Sequence, residues 1–465
     1  MQTPRQGFDN RLFAPVDAAS LTVFRIGFGL IMFVEALRYL GSDWIYRYYI
    51  APGFYFKYYG FGWVEPWPGD GMYYHFMVLG LLGLAIAAGA FYRVSMVLFT
   101  VGFSYVFLLD QTTYLNHLYL VILFCVLLCV VPAHRHFALD AWRRPARAVN
   151  TVPYWSVWLL RAQMEIMLLY AGIVKVNSDW LQLEPLRMWL ARRADYPLMG
   201  PWFTEDWVVA CAAYGVILLH LVGAPLLLWK RTRLVVFIVY CAFHVSNHFV
   251  FTIGIFPWFT ILGSLLFFDP DWPRQLAARL GWRRRPAPST PPLPETWQRR
   301  WVLGFLGVWI AFQVLMPLRH LLYPGNVSWT EEGHRFAWMM KLRDKKGEAT
   351  FVVKNPASNE SWFINPARHL MPRQARKMAT RPDMILQFAH YLGEQFAAVG
   401  IPGVEVYALV EVSLNGRPRA LMIDPKRDLM TVRRDLAVAD WILPLDLPLG
   451  GRDATALARS DDEAP

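Results

Sequence analysis

The 465-residue chain is 55% hydrophobic and 16% aromatic but only 17% charged, against about 25% charged residues in an ordinary soluble protein. This balance excludes a disordered chain, a coiled coil and a disulfide scaffold, and it indicates an α-helical polytopic membrane protein. The net charge of +11 would suit nucleic acid, but the positions of the basic residues account for it without one.

A crossing helix needs about 20 mostly apolar residues. Nine segments qualify, near 20–40, 72–91, 94–109, 115–132, 155–174, 207–228, 233–250, 254–268 and 301–319, some of them short and the third marginal. With the N-terminus inside, the inside segments hold Arg5 and Arg11, then Arg93, then Arg135, Arg143, Arg144 and Arg147, then Lys230, Arg231 and Arg233, and finally a run from Arg274 to Arg300. The outside loops near 110–114 and 251–253 hold no Lys or Arg, and the loop 41–71 holds only Arg47 and Lys57. The loop after the fifth segment, with Lys175, Arg187, Arg192 and Arg193, is the exception. This alternation follows the positive-inside rule. No removable signal peptide is evident, since the first apolar run is long enough to stay in the membrane. Cys125, Cys129, Cys211 and Cys241 all lie in apolar runs and read as small buried hydrophobes.

The stretch 283–296 is a Pro-rich inside linker. An odd number of crossings places residues after about 320 on the face opposite the N-terminus. In a bacterial inner membrane that face is extracytoplasmic, with the N-terminus cytoplasmic. There the composition becomes that of a small α+β domain. Glu348–Lys354 reads as a strand, and Asp383–Val399 as a helix with Asp383 at its N-cap. Val404, Val406, Ala408, Val410 and Val412 alternate with more polar residues, the period of a strand, and Asn415-Gly416 turns the chain into Arg419–Ile423. The chain therefore divides into a membrane domain, 1–320, and an α+β domain, 321–465.

Ionisable residues at membrane depth are costly, which makes them functional candidates. Arg161, Glu165, Leu168, Gly172 and Lys175 share one helical face, and Arg161 and Glu165 are spaced to pair. Lys175 follows the apolar run LLYAGIV with no acidic residue one turn before it. Apolar surroundings disfavour its charged form and suit it to act as a base. A snorkelling lysine, or one paired with Asp179, would serve structure instead. Tyr114, Asn116 and His117 open the fourth segment, as a helix-start cap or as site residues. His244, Asn247 and His248 share one face of the seventh; their spacing permits a metal, but an interhelical hydrogen-bond cluster suits it better. His320, Trp329, Thr330, Glu331, Glu332, His334 and Trp338 follow the ninth, where aromatics also form interfacial belts. Asn116, His117, Lys175, His244 and His320 fall at the outer side, where a lipid-facing apolar pocket would take a lipid-soluble ligand.

Several stretches, in order, carry a resemblance. They are SLTVFRIGFGLIM, YVFLLDQTTYLNHLYL, LLYAGIVKVNSDW, FHVSNHFVFTIGIFPW, LYPGNVSWTEEGHRFAW and RPDMILQFAHYL. The most specific are AG-x-x-K-x-x-x-DW and GN-x-SWT followed by Trp338. Together they resemble the bacterial form of the vitamin K-dependent gamma-glutamyl carboxylases, built on the horizontally transferred transmembrane domain.

The resemblance implies an enzyme that oxidises reduced vitamin K or menaquinol with O2 to the epoxide. The strong base so formed removes a γ-proton from a peptide glutamate, and CO2 adds to give γ-carboxyglutamate. No side chain is basic enough to do this directly. The resemblance assigns Lys175, Asn116, His117 and His320 to catalysis, and the glutamyl substrate to the segment 325–341 with Trp329, Thr330, His334 and Trp338. Tyr114, His244 and Asn247 are expected to line the quinol. The implied partners are an exported glutamate-containing polypeptide and membrane lipid, with no metal and no nucleic acid. The chain departs from the animal enzymes at Val174, where they carry a second lysine, and at Gly333-His334, where they carry Leu-Tyr. Its tail is shorter. A quinol epoxidase without carboxylation is one alternative; a transporter or lipid-binding scaffold, with a polar route through the bilayer, is the other.

Overall fold

The computed structural model describes residues 8–145, 148–197, 199–251, 253–282 and 295–449. All nine expected segments are helical: α1 Ala19–Gly41, α2 Gly71–Ala88, α3 Tyr92–Leu109, α4 Asn116–Val130, α5 Trp155–Ile173, α6 Asp206–Leu228, α7 Arg233–Phe251, α8 Phe256–Phe267 and α9 Thr296–Leu322. Six of them (α1, α2, α3, α6, α7 and α9) are long and apolar enough to cross a membrane. The other three are shorter, as α4 and α8 are, or carry polar residues, as α5 does with Arg161, Gln163 and Glu165. Arg5, Arg147 and residues 283–294 of the expected linker lie outside the described residues.

Small residues and aromatic rings set the packing of the bundle. A Cβ on Gly29 of α1 would lie 2.5 Å from the Gly83 carbonyl oxygen of α2, so only glycine permits that approach. Phe24 and Phe28 of α1, Phe99 of α3, Phe124 of α4 and Phe259 of α8 interlock at ring distances of 5.3–6.4 Å. Two arginines close the end of the bundle where α1 and α5 begin, by donating to carbonyls that helix ends leave unpaired. Arg25, fully buried, donates to Ala87, Ala133 and Phe137. Arg161 donates to Leu266 and Phe268. This corrects the expected Arg161–Glu165 pair. The carbonyls at the end of α8 outcompete the carboxylate, and both Glu165 oxygens have no hydrogen-bond partner among the described residues. Cys211 also departs from expectation, being exposed on the outside of α6; the other three cysteines are buried or half-buried.

The C-terminal domain is a four-stranded antiparallel sheet with two helices. Its strands are β1 Lys345–Lys354, β2 Ser361–Ile364, β3 Glu405–Leu414 and β4 Ala420–Leu421, in the order β2-β1-β3-β4. The helices are α10 Pro372–Met378 and α11 Pro382–Ala398. The alternation seen in the sequence is the alternation of burial: Val406, Ala408, Val410, Val412 and Leu414 face Ile385, Phe388, Ala389 and Leu392 of α11. Asn415 and Gly416 both adopt positive φ, as their turn requires. Asp383 is not the N-cap of α11. Arg381 holds that position, Pro382 starts the helix, and Asp383 in the first turn pairs with Arg434 at 2.7 Å.

The domain docks on the loops at one end of the bundle. Phe56, from the loop between α1 and α2, is buried in its core. Gln374 of α10 donates to Asp110 and to the Phe54 carbonyl. Arg417 grips Asp179, just past α5, with two bonds of 2.7 Å, and Asn415 adds a third.

Candidate functional site

The segment 331–345, which links α9 to β1, organises the site. Glu331, Phe336, Trp338 and Lys341 adopt positive φ although none is glycine, so surrounding contacts hold a backbone that they disfavour on their own. Those contacts involve most of the residues the sequence singled out. Tyr114 Oη accepts from the Phe336 N–H at 2.7 Å and donates to Asn116 Oδ1 at 2.9 Å. Asn116 Nδ2 donates to the Met339 carbonyl at 3.1 Å, and Lys175 Nζ donates to the next carbonyl, Met340, at 3.3 Å. Asn116, at the start of α4, and Lys175, just past the end of α5, thus meet on adjacent peptide groups.

Lys175 is 5% exposed. Its amine also donates to the Ala171 carbonyl at 2.9 Å and lies 5.3 Å from the Trp180 ring. Its neighbour Asp179 is engaged by Arg417 and Asn415. The buried amine therefore faces carbonyls and an aromatic ring, and its salt-bridge partner of the sequence alternatives is taken elsewhere.

His117 and His244 both pack against Phe256, at ring distances of 6.0 and 5.8 Å. His244 is 1% exposed, and neither of its ring nitrogens has a partner among the described residues. The expected hydrogen-bond cluster with Asn247 and His248 is therefore not formed, because aromatic rings and not polar groups enclose the imidazole: Tyr240, Phe243 and Phe256. Among the described residues no group of three or more His, Cys, Asp or Glu stands ready for a metal. His320 is brought not to Lys175 but against Gly333. Its Nδ1 lies 2.8 Å from the Pro317 carbonyl oxygen, and a Cβ on Gly333 would approach its Cα to 2.6 Å. That contact, with a φ of +68° at Gly333, gives the Gly333 departure a structural reason.

The residues of the substrate segment separate into two environments. Trp338 is fully buried in the membrane domain, its ring 5.1 Å from that of Tyr119 and tilted by 36°, and its indole N–H has no partner among the described residues. Trp329 is buried in the C-terminal domain and donates to the Leu443 carbonyl. Thr330 is buried beside it. Beyond them is a basic cluster the sequence did not reveal. Glu331 contacts Arg343 at 2.8 Å and Lys345 at 3.3 Å, with Arg381 and Lys377 nearby. Burial alone would raise the Glu331 carboxyl, but Arg343, Lys345 and Arg381 hold it well below the usual range. Arg381, followed by burial, lowers Lys377 to about 7. His334 lies 3.9 Å from Glu331. Burial and Arg343 push its pKa down, so this contact is polar and not an ion pair. Its Nε2 is buried without a partner among the described residues. Four basic side chains around one carboxylate leave an excess of positive charge, which suits a second anion. Only chain folding assembles this cluster, since its members come from 331–345, α10 and the start of α11.

His220 of α6 was also missed. It lies 5% exposed beside Gly172, within the apolar run ILLHLVG, where a lone polar residue was a visible signal.

The HTTM domain family matches residues 13–272, and the vitamin K-dependent gamma-carboxylase lumenal domain family matches residues 298–447. No solved structure matches the chain at a significant level. The first match spans more than half of the chain, and the second begins with the helix that leads into the docked domain. The chain belongs to the HTTM-domain family and is a gamma-carboxylase-like member of it.

Proposed function

We propose that this protein is a quinol-dependent gamma-carboxylase that acts on glutamate in an exported polypeptide. The nine helices then all cross the membrane, and the docked domain lies on the outer side. The observation that carries this reading is the shared strap: Asn116 and Lys175 hold the Met339 and Met340 carbonyls of the same segment whose other end forms the Glu331 cluster. One short stretch of backbone thus joins an amine-bearing apolar site to a basic one.

The residues fit a reduced naphthoquinone on their own chemistry. His244 offers two orphaned ring nitrogens, Lys175 a buried amine, and Phe256 an aromatic face. When bound, the quinol supplies with O2 the strong base that the family's carboxylation requires. Lys175 accepts the quinol hydroxyl proton at Nζ, Asn116 and Tyr114 fix the strap beside it, and the enclosing rings exclude water. Arg343, Lys345 and Lys377 hold the glutamate carboxylate, with His334 beside them. An apolar groove of about 590 Å³ between Trp158 and α9, lined by Leu303, Gly307 and Val314, takes the isoprenoid tail. Its outer end adjoins the site, since the Val314 carbonyl accepts from Tyr170, next to Ala171.

The test is membrane-reconstituted protein given vitamin K hydroquinone or menaquinol, O2, labelled CO2 and a glutamyl peptide. Epoxide and labelled γ-carboxyglutamate are expected, and both are lost in Lys175→Ala. Epoxide without label would favour the epoxidase alone. Undiminished epoxide in Lys175→Ala would remove Lys175 from the mechanism.

A further inference from the structure

Lys175 must lose the proton it takes before it can act again, and a buried imidazole stands close by. His220 lies where α6 widens into a π-turn, Leu219–Gly223, a distortion found mostly at functional sites. The turn presses His220 against α5: a Cβ on Gly172 would come within 2.9 Å of the His220 Cβ. The Gly172 carbonyl in turn accepts the backbone N–H of Lys175 at 3.0 Å. Only a glycine thus separates His220 from the turn that carries the amine.

The ring's tautomer follows from its contact. Nδ1 lies 2.8 Å from the Val216 carbonyl oxygen. A carbonyl only accepts, so Nδ1 carries the proton and Nε2 carries the lone pair. The titratable groups around the ring are Lys175 on the α5 side, and Tyr240 and His244 on α7. The Tyr240 hydroxyl is committed to the Leu219 carbonyl, and Glu165 lies lower on α5 beside Tyr240.

We propose that His220 is the relay that returns Lys175 to its neutral form, an inference that rests on the quinol-oxidising reading. The quinol O–H bond breaks and an N–H bond forms on Lys175 Nζ. The resulting ammonium passes one proton to His220 Nε2, giving an imidazolium whose Nδ1–H stays on the Val216 carbonyl. The imidazolium then yields its proton to water as the final acceptor, so no electron changes hands.

The test uses the full-length protein in lipid vesicles with His220→Gln and His220→Ala. Epoxide formation should fall about 10²-fold in both, with quinone affinity, read from tryptophan fluorescence quenching, unchanged. Added imidazole should restore His220→Ala, where it fits the space left by the ring, but not His220→Gln. The solvent deuterium isotope effect should rise in both variants. Wild-type turnover in His220→Gln, or a loss explained wholly by weaker quinone binding, overturns the relay. Should His220→Ala fail to fold, His220→Gln carries the test alone. Absence of epoxide from the wild-type protein would instead overturn the underlying reading.

Discussion

Two lysines of this protein are comparably buried and differ in their company. Lys345 sits 3.3 Å from Glu331, with Arg343 on the same carboxylate. Among the described residues Lys175 donates to the carbonyls of Ala171 and Met340 alone, its neighbour Asp179 being taken by Arg417 and Asn415. The contrast shows how a fold assigns roles to one residue type. A carboxylate partner makes an amine part of a charged scaffold, whereas carbonyl partners leave it free to exchange a proton. The clamp on Asp179 keeps the second arrangement from collapsing into the first.

Replacing the Lys175 amine itself and the carboxylate partner of Lys345 tests this difference. Lys175→Met should lower epoxide formation by about 10²–10⁴-fold, the scale of a lost general base. Its thermal midpoint should hold or rise, because an apolar chain of similar length replaces a buried amine that has no countercharge. Parallel loss of activity and stability would mean that Lys175 is structural. Glu331→Gln should do the reverse. It strands Arg343 and Lys345, and unfolding of the C-terminal domain should become easier by about 3–5 kcal/mol. Denaturant unfolding followed by tryptophan fluorescence measures this, and an unchanged midpoint would show that the cluster is neutralised by other means.

A smaller effect is expected from pH. Arg381 and burial lower Lys377 to about 7. Binding of a glutamyl carboxylate restores its proton, so peptide affinity should fall as pH rises through and above that value. Lys377→Met should flatten the profile, measured by titration calorimetry with a glutamyl peptide. The same lowering means that the folded state holds fewer protons than the unfolded chain between about 7 and the ordinary lysine value. Lys377 therefore costs stability at neutral pH that is recovered as pH rises through that window. The smallest effect concerns the groove beside α9. Gly307 has open space where a side chain would go. Gly307→Leu should raise the KM for long-tailed quinols about fivefold, the worth of one or two buried methylenes, and leave a short-tailed analogue unaffected. Equal KM changes for both would place the tail elsewhere.

Much of this arrangement is legible in one dimension. The nine helices, the β3 strand and its Asn-Gly turn follow from apolar runs, period-two alternation and a dipeptide that accepts positive φ. Lys175 and Asn116 also stand out, because a polar residue in or beside an apolar run is conspicuous. Arg161 shows the limit of such reasoning. Its spacing to Glu165 predicts a pair, yet the carbonyls of Leu266 and Phe268, about a hundred positions away, take the guanidinium. Asp383 fails as an N-cap for a similar reason: Pro382 fixes the helix start one residue earlier, and Arg434 claims the carboxylate.

Composition and short-range period settle which segments must leave water and which residues are costly to bury. Only the tertiary structure decided the company those costly residues keep. The adjacent carbonyls that receive Asn116 and Lys175, the basic side chains gathered around Glu331 and the glycine that seats His220 beside α5 each join residues distant along the chain. Electrostatic environment depends on distance in space, and sequence spacing constrains that distance only within a few helical turns or across a hairpin.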